Sequence, residues 1–233
     1  MFAGTRPTDD VVAKLVERQI RNWEIARNQR TSSEAEDRPE VEDFVCISRD
    51  VGAGANLIGV MLAERLGWPV FDKKILQAMA GDDAIRERIY ASMDERDIGW
   101  CEETLRALMQ PEFVKNDYFH QLTKTLLSLA RRGSAVFIGR GADLILPRNT
   151  GLRVRIVAPL ALRAQHVAER RGVSAEEAGM EVQRLEAERA GYIRKHFHVD
   201  VHDPERFDVV INLARMSTIQ AVDLIESARE VLR

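Results

Sequence analysis

Apolar positions near the start of the chain recur at roughly helical spacing. Between residues 9 and 28 the series includes Val11 and Ile20, which predicts an amphipathic helix. A polar, charged stretch with a proline follows over residues 28–40 and predicts a linker. We therefore expect residues 1–41 to form a helical extension before the main domain. Its apolar stripe could pack on that domain or on a second copy of the chain, as a homodimer would.

Short apolar runs alternate with helical segments over the rest of the chain. The runs have the length and composition of strands and occupy residues 43–48, 68–72, 134–139, 152–159 and 207–214. Between them lie segments of helical period, the longest over residues 73–132 with interruptions near "MDERDIG" and "MQPEF". Buried strands that alternate with helices predict a parallel sheet covered by helices on both faces.

Composition limits the class of protein. The chain has 233 residues, 45% hydrophobic and 30% charged, with a formal net charge of -3. We expect no nucleic-acid or membrane partner, because the chain has no overall basic field and no apolar run approaches the roughly 18 residues of a membrane span. The polar N-terminus does not resemble a secretory signal, and Cys46 and Cys101 are far apart. These features predict a cytoplasmic protein with reduced thiols.

The turn after the first predicted strand, "RDVGAGAN", has the composition of a phosphate-binding loop. Glycines let backbone N–H groups approach phosphate oxygens, and the N-terminus of the following helix adds partial positive charge. Against the pattern GxxxxGK[ST], Gly54 takes the last glycine position, while Ala55 stands at the lysine. A turn of small residues also serves as a packing device. The candidate phosphate-binding residues are Ser48, Arg49, Gly52, Ala53, Gly54, Ala55 and Asn56.

Several segments in order carry a resemblance to a known family. The segments "ISRDVGAGANLIGVMLAERLGWPVFDKKIL", "MDER", "FIGRGADLIL" and "DPERFDVVINLARMSTIQAVDLI" resemble the cytidylate kinase-like family, whose loops lack the lysine. The resemblance implies an α/β fold of the P-loop NTPase and nucleoside monophosphate (NMP) kinase type, with a five-stranded parallel sheet. It assigns residues 42–233 to this domain, with a helical NMP-binding insertion at about 73–132 and a lid at about 174–204.

The same resemblance implies the reaction ATP + (d)CMP → ADP + (d)CDP, with Mg²⁺ held together with ATP. It places a GRD-type phosphate-binding position at Arg140 and a second NMP position at Asp72. The NMP-binding candidates are Asp72, Lys73, Asp94, Arg96 and Arg140. The candidates for stabilising the transferred phosphoryl group are Arg163, Arg184 and Arg189. Each also has a plainer interpretation, as a surface charge, a helix-start charge or a member of a salt-bridged helix.

Two other functions remain open from the sequence. Ala55 at the lysine position favours a nucleotide-binding or regulatory module that binds without turnover, since that lysine normally contacts the β- and γ-phosphates. A P-loop kinase that acts on another small metabolite is the third hypothesis.

The segment "HFHVDVHD" (residues 196–203) has zinc-ligand residue types, but it falls in or after the predicted lid. We expect no metal site built by the protein itself.

Overall fold

All five strands form one parallel sheet. The computed structural model describes residues 7–30, 41–108 and 117–232. The strands are β1 (Phe44–Arg49), β2 (Val70–Phe71), β3 (Ala135–Ile138), β4 (Leu152–Val157) and β5 (Val209–Asn212), in the spatial order β2-β3-β1-β4-β5. The predicted five-stranded parallel sheet is confirmed.

Helices cover both faces of the sheet. In chain order they are α1 (Pro7–Arg30), α2 (Ala55–Leu66), α3 (Lys73–Gly81), α4 (Asp83–Tyr90), α5 (Glu95–Leu108), α6 (Asp117–Arg132), α7 (Ala142–Ile145), α8 (Leu160–Arg171), α9 (Ala175–Phe197) and α10 (Thr218–Val231). A 3₁₀ turn, Pro204–Arg206, precedes β5. In the part of the chain that the structure describes, no helix combines the length and apolarity that a bilayer crossing requires.

Strand register places the functional turns side by side. β1 is central, with Ile47 paired to Ile138 of β3 and Arg49 paired to Ile156 of β4. The loop after β1 therefore lies beside the turn after β3, at the carboxyl edge where ligands bind in open parallel sheets.

The two sheet faces bury separate apolar clusters. One contains Phe44, Phe71 and Phe137 with residues of α1, α3, α5 and α6. The other contains Val45 and Val154 with residues of α2 and α10. Strands β1, β2 and β3 contribute alternate side chains to the two clusters, as strands buried on both faces do, whereas β4 and β5 contribute to the second cluster alone.

The N-terminal helix α1 packs on the main domain. Ile20 and Trp23 are fully buried in the first apolar cluster. The Gln19 side-chain oxygen accepts a hydrogen bond of 2.9 Å from the backbone N–H of Val70, and Trp23 Nε1 donates to the carbonyl of Leu129 at 3.1 Å. The apolar stripe of α1 therefore packs on the main domain of the same chain, which was one of the two alternatives from the sequence. A dimer through α1 would have to use its outer side, where Ile25 is exposed.

The helical insertion is divided more often than the sequence pattern predicts. Asp82 ends α3 and caps α4, because its carboxylate accepts from the N–H of Ile85. The interruption at "MDERDIG" corresponds to the end of the turn between α4 and α5 and to the first residues of α5, whereas the one at "MQPEF" lies outside the described residues. In the predicted lid, α9 is one continuous helix that begins with a capping box of Ser174 and Glu177.

Candidate active site

A cleft of about 1210 Å³ opens at the carboxyl edge of the sheet. The phosphate loop forms its floor, the turn after β3 forms one side, and helices α8 and α9 form the other. The structure brings ten of the predicted site residues into its lining: Ser48, Arg49, Gly52, Ala53, Gly54, Ala55, Asn56, Lys73, Arg140 and Arg189.

The loop has the geometry of an anion site. Gly52 and Gly54 have φ angles of 84° and 82°, in the left-handed region that favours glycine. Gly54 precedes α2, and within the described residues no side chain caps this helix and its first turn carries no acidic residue. The first N–H groups of α2 therefore remain available to an oxyanion at the positive end of the helix dipole.

A buried ion pair supports the start of the loop. Arg155 on β4 donates to the Asp50 carboxylate at 2.6 Å and to the Ser48 hydroxyl at 3.1 Å. Burial lowers the pKa of Arg155, and the facing Asp50 opposes that shift. Neither Asp50 nor Arg155 was expected at the site from the sequence. One signal was present, because an arginine in the alternating run "LRVRIV" of a strand covered on both faces must be buried and hence paired.

Arg189 connects helix α9 to the loop. Its guanidinium donates to the carbonyl of Arg49, to the Ser48 hydroxyl at 2.8 Å and to Glu186 Oε1 at 3.0 Å. Burial, together with the neighbouring Arg155, lowers the pKa of Arg189 to about 10. The side chain is therefore still a cation at neutral pH, on the wall that faces the loop.

Three cations converge on the other side of the cleft. Arg49, Lys73 and Arg140 all line it, and none of them forms an ion pair with another residue in the described part of the chain. Burial lowers the pKa of Lys73, and the nearby Arg140 and Arg49 lower it further. Burial is also the main cause that lowers the pKa of Arg49. The carboxylates of Asp72 and Glu188 offset the charge of these cations only in part, so this side of the cleft carries positive charge that suits an anion.

Arg140 is held in an unusual backbone conformation. Its φ is 59°, between Gly139 and Gly141, which also have positive φ angles. Its guanidinium lies 5.4 Å from the centre of the Tyr192 ring. A non-glycine residue in the left-handed region costs free energy, and such strain is concentrated at functional sites. The conformation directs a fork of donors towards the cleft from a short glycine turn.

Five predicted residues lie outside the cleft lining. Arg184 is on the outer side of α9, more than half exposed, and paired with Glu181 and Glu188. Arg163 lies beneath the loop, where it donates to the carbonyl of Ala158 at 2.9 Å. The others are at helix starts in the insertion. Asp72 caps α3, Asp94 accepts from the N–H of Asp97, and Arg96 is exposed in the first turn of α5.

Arginines neutralise the carboxylates of the cleft. Asp50 pairs with Arg155, Asp143 with Arg206 and Glu188 with Arg184. Across the described residues there is no group of three or more His, Cys, Asp or Glu side chains that could hold a metal ion.

The histidines of residues 196–203 have separate surroundings. His196 stacks on Phe119, with ring centres 4.9 Å apart, whereas His202 Nδ1 lies 3.4 Å from Arg155. His198 is the left-handed C-cap of α9. These side chains do not converge on one point, so the alternating pattern in the sequence does not translate into a common ligand set.

Together, the parallel sheet, the glycine-bearing loop at the N-terminus of α2 and the arginine-bearing helix α9 define a P-loop phosphotransferase. A sequence model of the cytidylate kinase-like family matches residues 44–215, and the chain belongs to this family. The match begins at β1, so helix α1 lies outside it.

Relatives match over most of their length. The chain is 24% identical over 191 residues to a cytidylate kinase of Pyrococcus horikoshii, covering 82% of this chain and 90% of that protein. It is 28% identical over 182 residues to a cytidylate kinase of Ignicoccus hospitalis, covering 78% and 96%. The crystal structure of an uncharacterised protein from Eubacterium ventriosum superposes with a TM-score of 0.66 at 20% identity, covering 82% and 99%, which shows the shared fold.

Proposed function

We propose that this protein is a nucleoside monophosphate kinase that transfers the γ-phosphoryl group of ATP to CMP or dCMP. The observation that carries the proposal is the pair of anion sites in one cleft. The loop at the N-terminus of α2 faces the cluster of Arg49, Lys73 and Arg140. A kinase that phosphorylates a phosphate needs two such sites, one for the donor and one for the acceptor. Two relatives named cytidylate kinase support cytidine as the base of the acceptor.

In this proposal the chemistry is positioning and charge neutralisation. An oxygen of the acceptor phosphate attacks the γ-phosphorus of ATP, the bond to the β–γ bridging oxygen breaks, and ADP leaves with the electron pair. The loop amides hold the donor, and Arg140 offers the acceptor phosphate two parallel N–H groups. Arg189 and Arg49 stabilise the negative charge that spreads over the transferred group. These guanidinium groups take the part of the lysine that Ala55 replaces.

Mg²⁺ fits this cleft as a companion of ATP. Because the carboxylates of the cleft are paired with arginines, the protein offers few ligands to a metal ion. Mg²⁺ commonly keeps phosphate oxygens and water as its ligands. When bound, the ion would neutralise charge on the β- and γ-phosphates. The carboxylate within the loop is Asp50, and its bond of 2.6 Å to Arg155 holds it in place.

Release of ADP, measured with CMP, dCMP, UMP, AMP and a set of small alcohols, tests the proposal. We expect turnover with CMP or dCMP in the presence of Mg²⁺ and ATP. Turnover with an alcohol only would identify a kinase of another metabolite. Ala55 favours one rival, a module that binds nucleotides without turnover. If calorimetry detects ATP binding but no acceptor leads to ADP release, that rival is established and the proposed kinase activity is overturned.

A further inference from the structure

One carboxylate, Glu186 of α9, joins the loop to two arginines. Its Oε2 accepts from the backbone N–H of Val51 at 2.8 Å and from Arg163 Nη1 at 3.2 Å. Its Oε1 accepts from Arg189 Nη1 at 3.0 Å. The Glu186 side chain is 15% exposed, so these three donors replace most of its water. The residue is absent from the expectations drawn from the sequence.

Glu186 lies behind the cleft wall and not on it. Val51 and Arg189 line the cleft, whereas Glu186 and Arg163 lie beneath that surface. A ligand in the cleft would therefore touch Val51 and Arg189, while Glu186 acts on the ligand only through them. This arrangement distinguishes a positioning residue from a group that contacts phosphate.

The two oxygens of Glu186 are engaged in different directions. Oε2 fixes the loop and α8 through Val51 and Arg163, while Oε1 fixes the guanidinium of Arg189. Because both oxygens are bound, the carboxylate cannot rotate without losing a charge-assisted hydrogen bond, and such bonds are stronger than neutral ones. Glu186 and Arg189 are three residues apart on one helix face, which keeps the pair together when α9 moves.

We propose that Glu186 is the positioning residue that sets the distance between the donor loop and Arg189. The inference rests on the proposed function, since it concerns the same phosphoryl-transfer site. Without the Glu186 charge, Arg189 keeps its bonds to Ser48 and to the carbonyl of Arg49 but loses its ionic partner. A misplaced guanidinium stabilises the transition state poorly, because a displacement of about 1 Å in a catalytic group can cost about a hundredfold in rate.

A double-mutant cycle of Glu186→Gln and Arg189→Ala tests the proposal. Glutamine has the shape of glutamate and can still accept from the Val51 N–H, so it removes the charge with little change in volume. We expect Glu186→Gln alone to lower kcat about tenfold or more. In the Arg189→Ala background the same change should alter kcat by less than about twofold, because the group that it positions is gone.

The matched control is Glu181→Gln on the same helix. Glu181 pairs with Arg171 and Arg184, both outside the cleft lining, so this variant should keep kcat within about twofold of the wild type. Equal effects of Glu186→Gln in both backgrounds would overturn the proposal and show a general structural role. Wild-type kcat in Glu186→Gln would overturn it as well.

The ATP affinity of the same four proteins is also measured by calorimetry. This measurement can test the role of Glu186 even if the proposed function fails. If the wild type binds ATP but phosphorylates no acceptor, the proposed function fails. Non-additive ATP affinities in the cycle would still support Glu186 as the residue that positions Arg189. Additive affinities would overturn it, and a wild type that binds no ATP would overturn both.

Discussion

Arg189 donates a hydrogen bond of 2.8 Å to the hydroxyl of Ser48. The bond joins the middle of the lid helix α9 to the end of the central strand β1, across 141 residues of sequence. Because the carbonyl of Arg49 is a second acceptor of the same guanidinium, helix α9 lies on the loop in this structure. Arg189 is thus already at the surface where the proposal needs positive charge, and no large lid movement is required to bring it there.

The position of Arg189 predicts that it and Arg184 differ in importance. Arg189→Ala should lower kcat by about 10- to 1000-fold, scaled from the contribution of arginine residues to phosphoryl transfer. Arg184→Ala should change kcat by less than about twofold, because exposed ion pairs such as those of Arg184 contribute little. Steady-state ADP release measures both. A large loss in Arg184→Ala would show that the lid rotates during the reaction and brings Arg184 in.

Gly139 allows a second test, which concerns the cluster of Arg49, Lys73 and Arg140 that is proposed to bind the acceptor phosphate. A Cβ atom at this residue would overlap the guanidinium of Arg49, and the φ of 76° is unfavourable for alanine. Gly139→Ala should therefore displace Arg49 and raise the KM of the acceptor by about tenfold, the effect of losing one charge-assisted contact. It should lower kcat as well, because Arg49 also stabilises the transferred group. The strained backbone should also lower the free energy of unfolding by about 1 kcal/mol. Initial rates over a range of CMP concentrations, together with urea denaturation, measure these effects.

Gly172→Ala is the matched control for Gly139→Ala. Gly172 has a similar φ of 70°, but an added Cβ would meet no atom within 4 Å among the described residues. This variant should lose about the same stability, about 1 kcal/mol, while its acceptor KM stays unchanged. Equal KM values in both alanine variants and the wild type would show that Arg49 does not contact the acceptor.

The sequence predicted the architecture well because the signals for it are local. Strands and helices follow from apolar period and length, and the loop follows from its small residues between a strand and a helix. The ion pairs around the loop depend instead on contacts between distant segments. Arg155 and Asp50 are 105 residues apart, and Val51 and Glu186 are 135 apart. Only the sheet register and the lid packing bring those partners together.

Helical geometry alone could have distinguished Arg184 from Arg189 in the sequence. Arg184 and Arg189 are five residues apart, which places them about 140° apart around a helix of 3.6 residues per turn. Their side chains therefore leave a straight helix in different directions. Arg189 pairs with Glu186 beside the loop, whereas Arg184 pairs with Glu181 and with Glu188, which lies at the edge of the cleft. Which face meets the loop was not available from the sequence, because it depends on how α9 packs against α8.

The burial of Trp23 predicts that helix α1 contributes strongly to stability. Trp23→Ala should lower the free energy of unfolding by about 3–5 kcal/mol, since it leaves a large cavity between α1 and α6. Trp23→Phe keeps much of the apolar volume and loses the bond to the Leu129 carbonyl, so about 1 kcal/mol is expected. Urea denaturation measures both, with Ile25→Ala on the exposed side as the control. If Trp23→Ala were as stable as the wild type, α1 would not pack on this domain in solution.

The two buried thiols predict a loss of stability in alkaline solution. Cys46 lies on β1 and Cys101 on α5, both as free cysteines. Burial raises the pKa of Cys101 to about 11 from its ordinary value of 9.0, and burial raises the pKa of Cys46 as well. Below pH 9.0 both states keep these protons, so the contribution to stability is complete. Above it the unfolded chain releases protons that the folded protein retains, and the free energy of unfolding falls as pH rises towards about 11.

Urea denaturation at several values between about pH 8 and about pH 10 measures this loss. Cys101→Ala removes one of the two thiols, so its free energy of unfolding should fall less steeply with pH than that of the wild type. The slope decides the test, because the small cavity left by the substitution lowers stability equally at every pH. Identical slopes in the two proteins would mean that the Cys101 thiol ionises as readily in the folded state as in the unfolded chain, and that water reaches it within the helical insertion.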